Sequence, residues 1–106
     1  MSIWQVSSVE QEPETILTRW RVFKVRGPHE EGETIHFVGD TGFEGRVCSS
    51  VQVYDPDTKR GVTLSGRVYE LSGPSGHDSN ALYVWSRWCH INDIVEITDV
   101  TEEYDK

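Results

Sequence analysis

A chain of 106 residues with a formal net charge of −8 falls within the size of one domain. At 36% hydrophobic and 26% charged residues it can bury a core, which excludes wholesale disorder. The acid excess argues against a general grip on nucleic acid phosphates, and no apolar run is long enough to span a membrane.

The first residues, MSIWQVSSVEQEPE, have neither a basic n-region nor an apolar h-region. A secretory signal is therefore not expected, and a cytoplasmic location is. Glu10, Glu12 and Glu14 make residues 1–16 acidic, and this stretch is expected to be less ordered. Trp4 lies in it, where core packing is least assured. Tryptophan is frequent at binding hot spots, so Trp4 is the leading single contact residue.

Residues 18–26, TRWRVFKVR, read as a strand. Trp20 and Val22 share one parity, Phe23 and Val25 the other. The phase slip between Val22 and Phe23 predicts a β-bulge there, or a strand covered on both faces. The same stretch is a basic island: Arg19, Arg21, Lys24 and Arg26 with no acid among them. Basic side chains beside aromatics can bind a single strand of nucleic acid, provided all four share an exposed face. The competing reading buries Trp20 and pairs the arginines with the acidic ends of the chain, and it fits the net charge better.

Gly27-Pro28 ends that strand. TIHFV, 34–38, and RVCSSVQVY, 46–54, continue with strand alternation. DPDTKRG, 55–61, is a turn cluster, and Ser65-Gly66 joins two short β-runs as a tight hairpin. Residues 33–71 thus read as an antiparallel meander. GPSGHD leads into a helix over 79–91, with Asp78 or Ser79 as its N-cap and Asn92 as its stop. Ala81, Val84, Trp85, Trp88 and Ile91 form its apolar stripe. IVEIT, 94–98, is a last strand. TEEYDK reads as too polar to bury, so 99–106 is expected to be less ordered, like 1–16.

The words TRWRVFKVR, IHFVG, EGRV, YDPDTKRGVTLSGRVYEL, GPSGHDS and YVWSRWCHIN together resemble a family of small uncharacterised bacterial proteins often met in genomes rich in mobile elements. GVTLSGRVYEL and YVWSRWCHIN are the most specific of them. The resemblance implies a bacterial, cytosolic, mobile-element setting. No activity is assigned to that family, so it carries no functional residue over to this chain.

Catalytic and metal chemistry find little support in the residues. Cys48 and Cys89 lie in no CxxC, and adjacent Cys89 and His90 point in different directions on a helix. No metal site and no cofactor is expected. The glycine loops match no phosphate-binding motif. Both cysteines read as free thiols acting as small apolar residues.

The expected fold is α+β: residues 1–106 form a single domain. Its twisted antiparallel sheet, or partial barrel, has about five or six strands, with one C-terminal helix packed on it. Val22, Phe37, Val51, Val53, Val68, Leu71, Trp85 and Trp88 are expected to be largely buried. The expected function is a non-enzymatic, acidic protein-interaction module, an inhibitor or regulator of a basic, nucleic-acid-handling protein. Its binding residues would be Trp4, Arg19, Arg21, Lys24 and Arg26. An unpaired edge strand could join its symmetry mate, so monomer and homodimer both stay open. Two alternatives stand beside this reading. One is a small nucleic-acid-binding β protein using strand 19–26. The other is a small enzyme dependent on Cys48 and a distant histidine.

Overall fold

The computed structural model describes residues 12–28 and 32–105. The fold is α+β and is organised by one long strand, β1 (Glu14–Arg26). Its β-branched and aromatic residues suit a pleated surface, but it does not run straight. The pairing register shifts between Thr18 and Arg21, and Arg19 takes φ +46°. The strand bulges here and not between Val22 and Phe23, where the register is regular. The bulge reverses side-chain parity, so Leu17 and Trp20 both turn into the same core at 0% exposure.

The Val22/Phe23 slip has a separate cause. Beyond the bulge the register is regular, and the two residues face opposite cores. Val22 packs with Leu17, Trp20, Phe37, Cys48 and Leu71. Phe23 packs with Val25, Val38, Ala81 and Trp85. The strand is covered on both faces there.

Six further strands follow: β2 (Thr34–Asp40), β3 (Gly45–Val47), β4 (Val51–Asp55), β5 (Arg60–Thr63), β6 (Val68–Leu71) and β7 (Glu96–Asp99). The order is β3-β2-β1-β6-β5-β4, with β7 also on β1. The first half of β1 pairs in parallel with β6, from Glu14 opposite Val68 to Leu17 opposite Leu71. The second half lies between β2 and β7, antiparallel to both. The sheet is therefore mixed and open, with seven strands where an antiparallel set of about five or six was expected. The parallel pair was hidden because strand pairing across distant segments leaves no local signal.

Helix α1 (Ser79–Ile91) begins as expected: Asp78 accepts from the Ala81 amide at 2.9 Å. It ends at Asn92, and Asp93 follows with φ +52°. Ala81, Val84 and Trp85 are buried, and Trp88 is half-buried. The N-terminal turn lies directly on Gly45, where an added Cβ would stand 2.5 Å from Ala81 Cα. Only a residue without a side chain permits that approach.

Two expectations about burial need correcting. Val53 is 66% exposed, because the β4–β5 register shifts between Val51 and Val53 and breaks the alternation that linked them. Val51, Val68 and Trp88 are only half-buried. The last segment is the second correction. TEEY forms a helical turn, α2 (Thr101–Tyr104), and Val100 and Thr101 are buried at 6% and 3% exposure. Residues 14–16 belong to β1, whereas 1–11 and 106 lie outside the described residues. No helix among the described residues is long and apolar enough to cross a membrane.

Candidate interaction surfaces

The four basic residues of β1 do not form one exposed face. Arg19 projects from the bulge, and its Nη2 lies 2.8 Å from Asp78 Oδ1 and 3.3 Å from Asp40 Oδ2. Asp78 thus holds both the helix N-terminus and the bulge. Arg21 donates to Asp99 Oδ2 from Nε at 3.0 Å and Nη2 at 2.8 Å, and to the Gly76 carbonyl at 3.3 Å. Arg26 pairs with Glu96 at 3.2 Å. Lys24 enters no ion pair among the described residues. In the regular stretch after the bulge, Arg21 falls on the parity of Phe23 and Val25, and Lys24 and Arg26 on the other.

Trp20 is 0% exposed, and its indole donates to the Gly73 carbonyl at 3.1 Å. A stacking ring is therefore missing from the basic stretch. Trp4, the remaining sequence-predicted contact residue, lies outside the described residues.

The same self-pairing recurs elsewhere. Arg60 lies between Glu14 and Glu70, and buried Arg46 between Glu12 and Glu44. Arg46 Nε and Glu44 Oε2 are 3.5 Å apart, a charge contact without hydrogen-bond geometry. Paired charges cancel at a distance. Against three cations without an ion pair, Lys24, Lys59 and Arg87, seven carboxylates enter none among the described residues: Glu33, Asp55, Asp57, Asp93, Glu102, Glu103 and Asp105.

Several of these meet at one end of the molecule. Tyr54, the penultimate residue of β4, and Tyr104, the last of α2, touch edge-on with ring centroids 4.9 Å apart. Each also packs edge-on against Phe37, at 5.8 and 6.0 Å. Both rings are half-buried. Burial raises both phenol pKa values; Tyr104 and Asp55 add to the rise at Tyr54, and Glu103 adds to it at Tyr104. Asp55 and Glu103 thus flank the tyrosine pair. The Lys59 Nζ lies over the Trp20 ring, 5.6 Å from its centre, and enters no ion pair among the described residues.

Asp99 fixes α2 at this end. Its carboxylate accepts from the Thr101 amide and hydroxyl as well as from Arg21. Burial pulls its pKa upward, but the Thr101 bonds and the Arg21 charge outweigh that, leaving it below the ordinary value. Thr101 in turn accepts from the Val22 amide at 3.0 Å. Sequence reasoning missed this end because TEEYDK looked wholly polar. The usable signal was Asp99 two residues before Thr101, with two glutamates in the next turn, a helix-start pattern.

Nucleophile and metal chemistry are poorly served. Cys48 is buried beneath the Phe37 amide, and burial pushes its thiol up to about 12. Burial pushes Cys89 up to about 11. Such thiols are almost wholly protonated at neutral pH. His36 is buried between the Cys48 carbonyl and Thr34, whereas His77 and His90 are exposed. No group of three or more metal-ligating side chains occurs among the described residues. No protein-family model matches the chain, and neither a curated protein nor a solved structure gives a match.

Proposed function

We propose that this chain is a non-enzymatic protein-interaction module that docks through its acidic Tyr54/Tyr104 end on a basic protein partner. The observation that carries the reading is the pairing pattern. Most arginines are neutralised within the molecule, while carboxylates flank a half-buried tyrosine pair without a cationic partner among the described residues. Tyrosines supply rigid contact area, and the surrounding carboxylates speed encounter with positive surfaces.

In this reading the chain inhibits or regulates a nucleic-acid-handling protein, in a bacterial mobile-element setting. Its carboxylates stand where phosphates would on the partner. The basic strand offers less for direct nucleic acid binding, since its arginines are engaged and Trp20 is buried. The raised thiols offer less for a cysteine-dependent enzyme.

The test is capture from nuclease-treated bacterial lysate. Wild-type protein is compared with the triple variant Asp55→Asn, Glu102→Gln, Glu103→Gln. A basic protein retained in stoichiometric amount by wild type, released at moderate salt and lost with the variant supports the proposal. A partner held equally by both, or unaffected by salt, refutes it.

A further inference from the structure

A second surface lies on the other side of β2. His36 and Phe37 are consecutive in a regular strand, so they face opposite ways: Phe37 toward the tyrosine end, His36 toward α1. Beside His36 opens a cleft of about 420 Å³. That is within the range of small-ligand sites, about 300–1,000 Å³. Its apolar wall comes from Trp88, Ile91 and Ile94 at the end of α1, Val25 and Pro28 at the end of β1, and Leu64.

The wall is braced from behind by an aromatic column. Phe23 stacks on Trp85 at 4.6 Å and 9°, and Trp85 on Trp88 at 5.2 Å and 11°. His36 closes the column against Trp88 at 4.6 Å. The imidazole is fixed in turn. The Cys48 carbonyl, 2.9 Å from Nδ1, can only accept, so Nδ1 carries a proton. Thr34 Oγ1 lies 2.8 Å from Nε2, and in either direction of that bond the hydroxyl oxygen keeps a lone pair at the cleft. Ser49 and Ser50 add uncharged hydroxyls.

Charge decides which ligand such a cleft suits. No lysine or arginine lines it among the described residues, and Asp93 is the only carboxylate that does. The position of Asp93 is unusual. The amide of Ile94 bonds the Cys89 carbonyl at 3.0 Å and that of Asp93 the His90 carbonyl at 3.3 Å. This pattern closes a helix with a left-handed residue, usually glycine. Here that residue is Asp93, at φ +52°. The chain keeps a carboxylate at the cleft mouth where glycine would serve the backbone better.

We infer that this cleft binds an amphipathic organic cation, an ammonium or guanidinium on a flat apolar body. The body lies against Trp88 and Ile91, and the charged head lies at Asp93 and the Thr34 oxygen. The site is independent of the tyrosine end and would survive the failure of the function proposed for it.

The test is a titration of the full chain, followed by amide and indole NMR shifts, with phenethylammonium and with the similarly shaped anion 3-phenylpropionate. Saturable shifts at Trp88, Ile91 and Asp93 are expected with the ammonium, and about tenfold weaker binding with the anion. Asp93→Asn should weaken ammonium binding about threefold. Asp93→Gly should do the same while raising the thermal midpoint, so loss of binding cannot be confused with loss of fold. Absence of saturation, shifts confined to other surfaces, equal binding of the anion, or unchanged binding by both Asp93 variants would overturn the inference.

Discussion

Asp99→Ala probes how the acidic end is held in place. The substitution removes an acceptor from the Thr101 amide, another from its hydroxyl, and the two-pronged contact with Arg21. Fully buried, those contacts would total several kcal/mol. The Asp99 side chain is 41% exposed, so water replaces part of each, and its ion pair counts as a surface pair. The expected loss is about 2 kcal/mol, or roughly 10 °C in thermal midpoint for a chain of this size. Asp99→Asn keeps an oxygen for Thr101 and loses the charge, and should cost about half as much.

The pH dependence follows from the lowered carboxyl pKa. A depressed folded-state value means the stabilisation is fully present above the unfolded value, near 3.9, and is lost as pH falls through the folded value below it. Between about pH 5 and pH 2 wild type should lose more stability than Asp99→Asn. Urea titrations of the three proteins across that range read both effects. A change below about 0.3 kcal/mol for Asp99→Ala, or parallel pH curves, would refute the assigned role of Asp99.

Other substitutions test other joints of the fold. Gly45→Ala puts a methyl group into the backbone of α1 at Ala81 and should cost at least about 2 kcal/mol by urea denaturation. Arg19→Gly relieves a left-handed arginine but gives up exposed ion pairs to Asp40 and Asp78; the terms nearly cancel, so stability should move by less than about 0.5 kcal/mol. With thiols raised to about 12 and 11, Cys48 and Cys89 should label slowly with a thiol reagent at pH 8 in the folded protein, and fast once urea exposes them. Fast labelling of Cys48 in the native state would contradict its burial.

Much of the fold was legible from local signals. The helix start at Asp78 or Ser79, resolved to Asp78, the stop at Asn92 and the hairpin around Ser65-Gly66 all depend on neighbours a few residues apart, and each stands where the pattern put it. What was not legible depended on distance. The parallel pairing of Glu14–Leu17 with Val68–Leu71 joins segments with no common local pattern. The exposure of Val53 follows from a bulge whose effect appears only against β5.

Similar reasons apply to the surfaces. The charge blocks pointed to pairing of the β1 arginines with the acidic chain ends, which holds for Arg21 with Asp99 and Arg26 with Glu96, whereas Arg19 turns to the mid-chain Asp40 and Asp78. Tyr54 and Tyr104 are far apart in the chain, and their contact could not be read from either one. The cleft at Asp93 escaped notice because its walls come from separate elements. Asp93 itself looked like an ordinary residue after a helix.

The most direct measurement is the affinity of the captured basic partner for wild type and for the Asp55→Asn, Glu102→Gln, Glu103→Gln variant, each at about 50 and 500 mM salt. An acidic docking surface requires wild-type binding to weaken steeply with salt, mainly through the association rate. The variant should bind about tenfold more weakly at low salt and depend less on it. Equal affinities with matching salt slopes would contradict the claim that this end of the molecule is the docking surface.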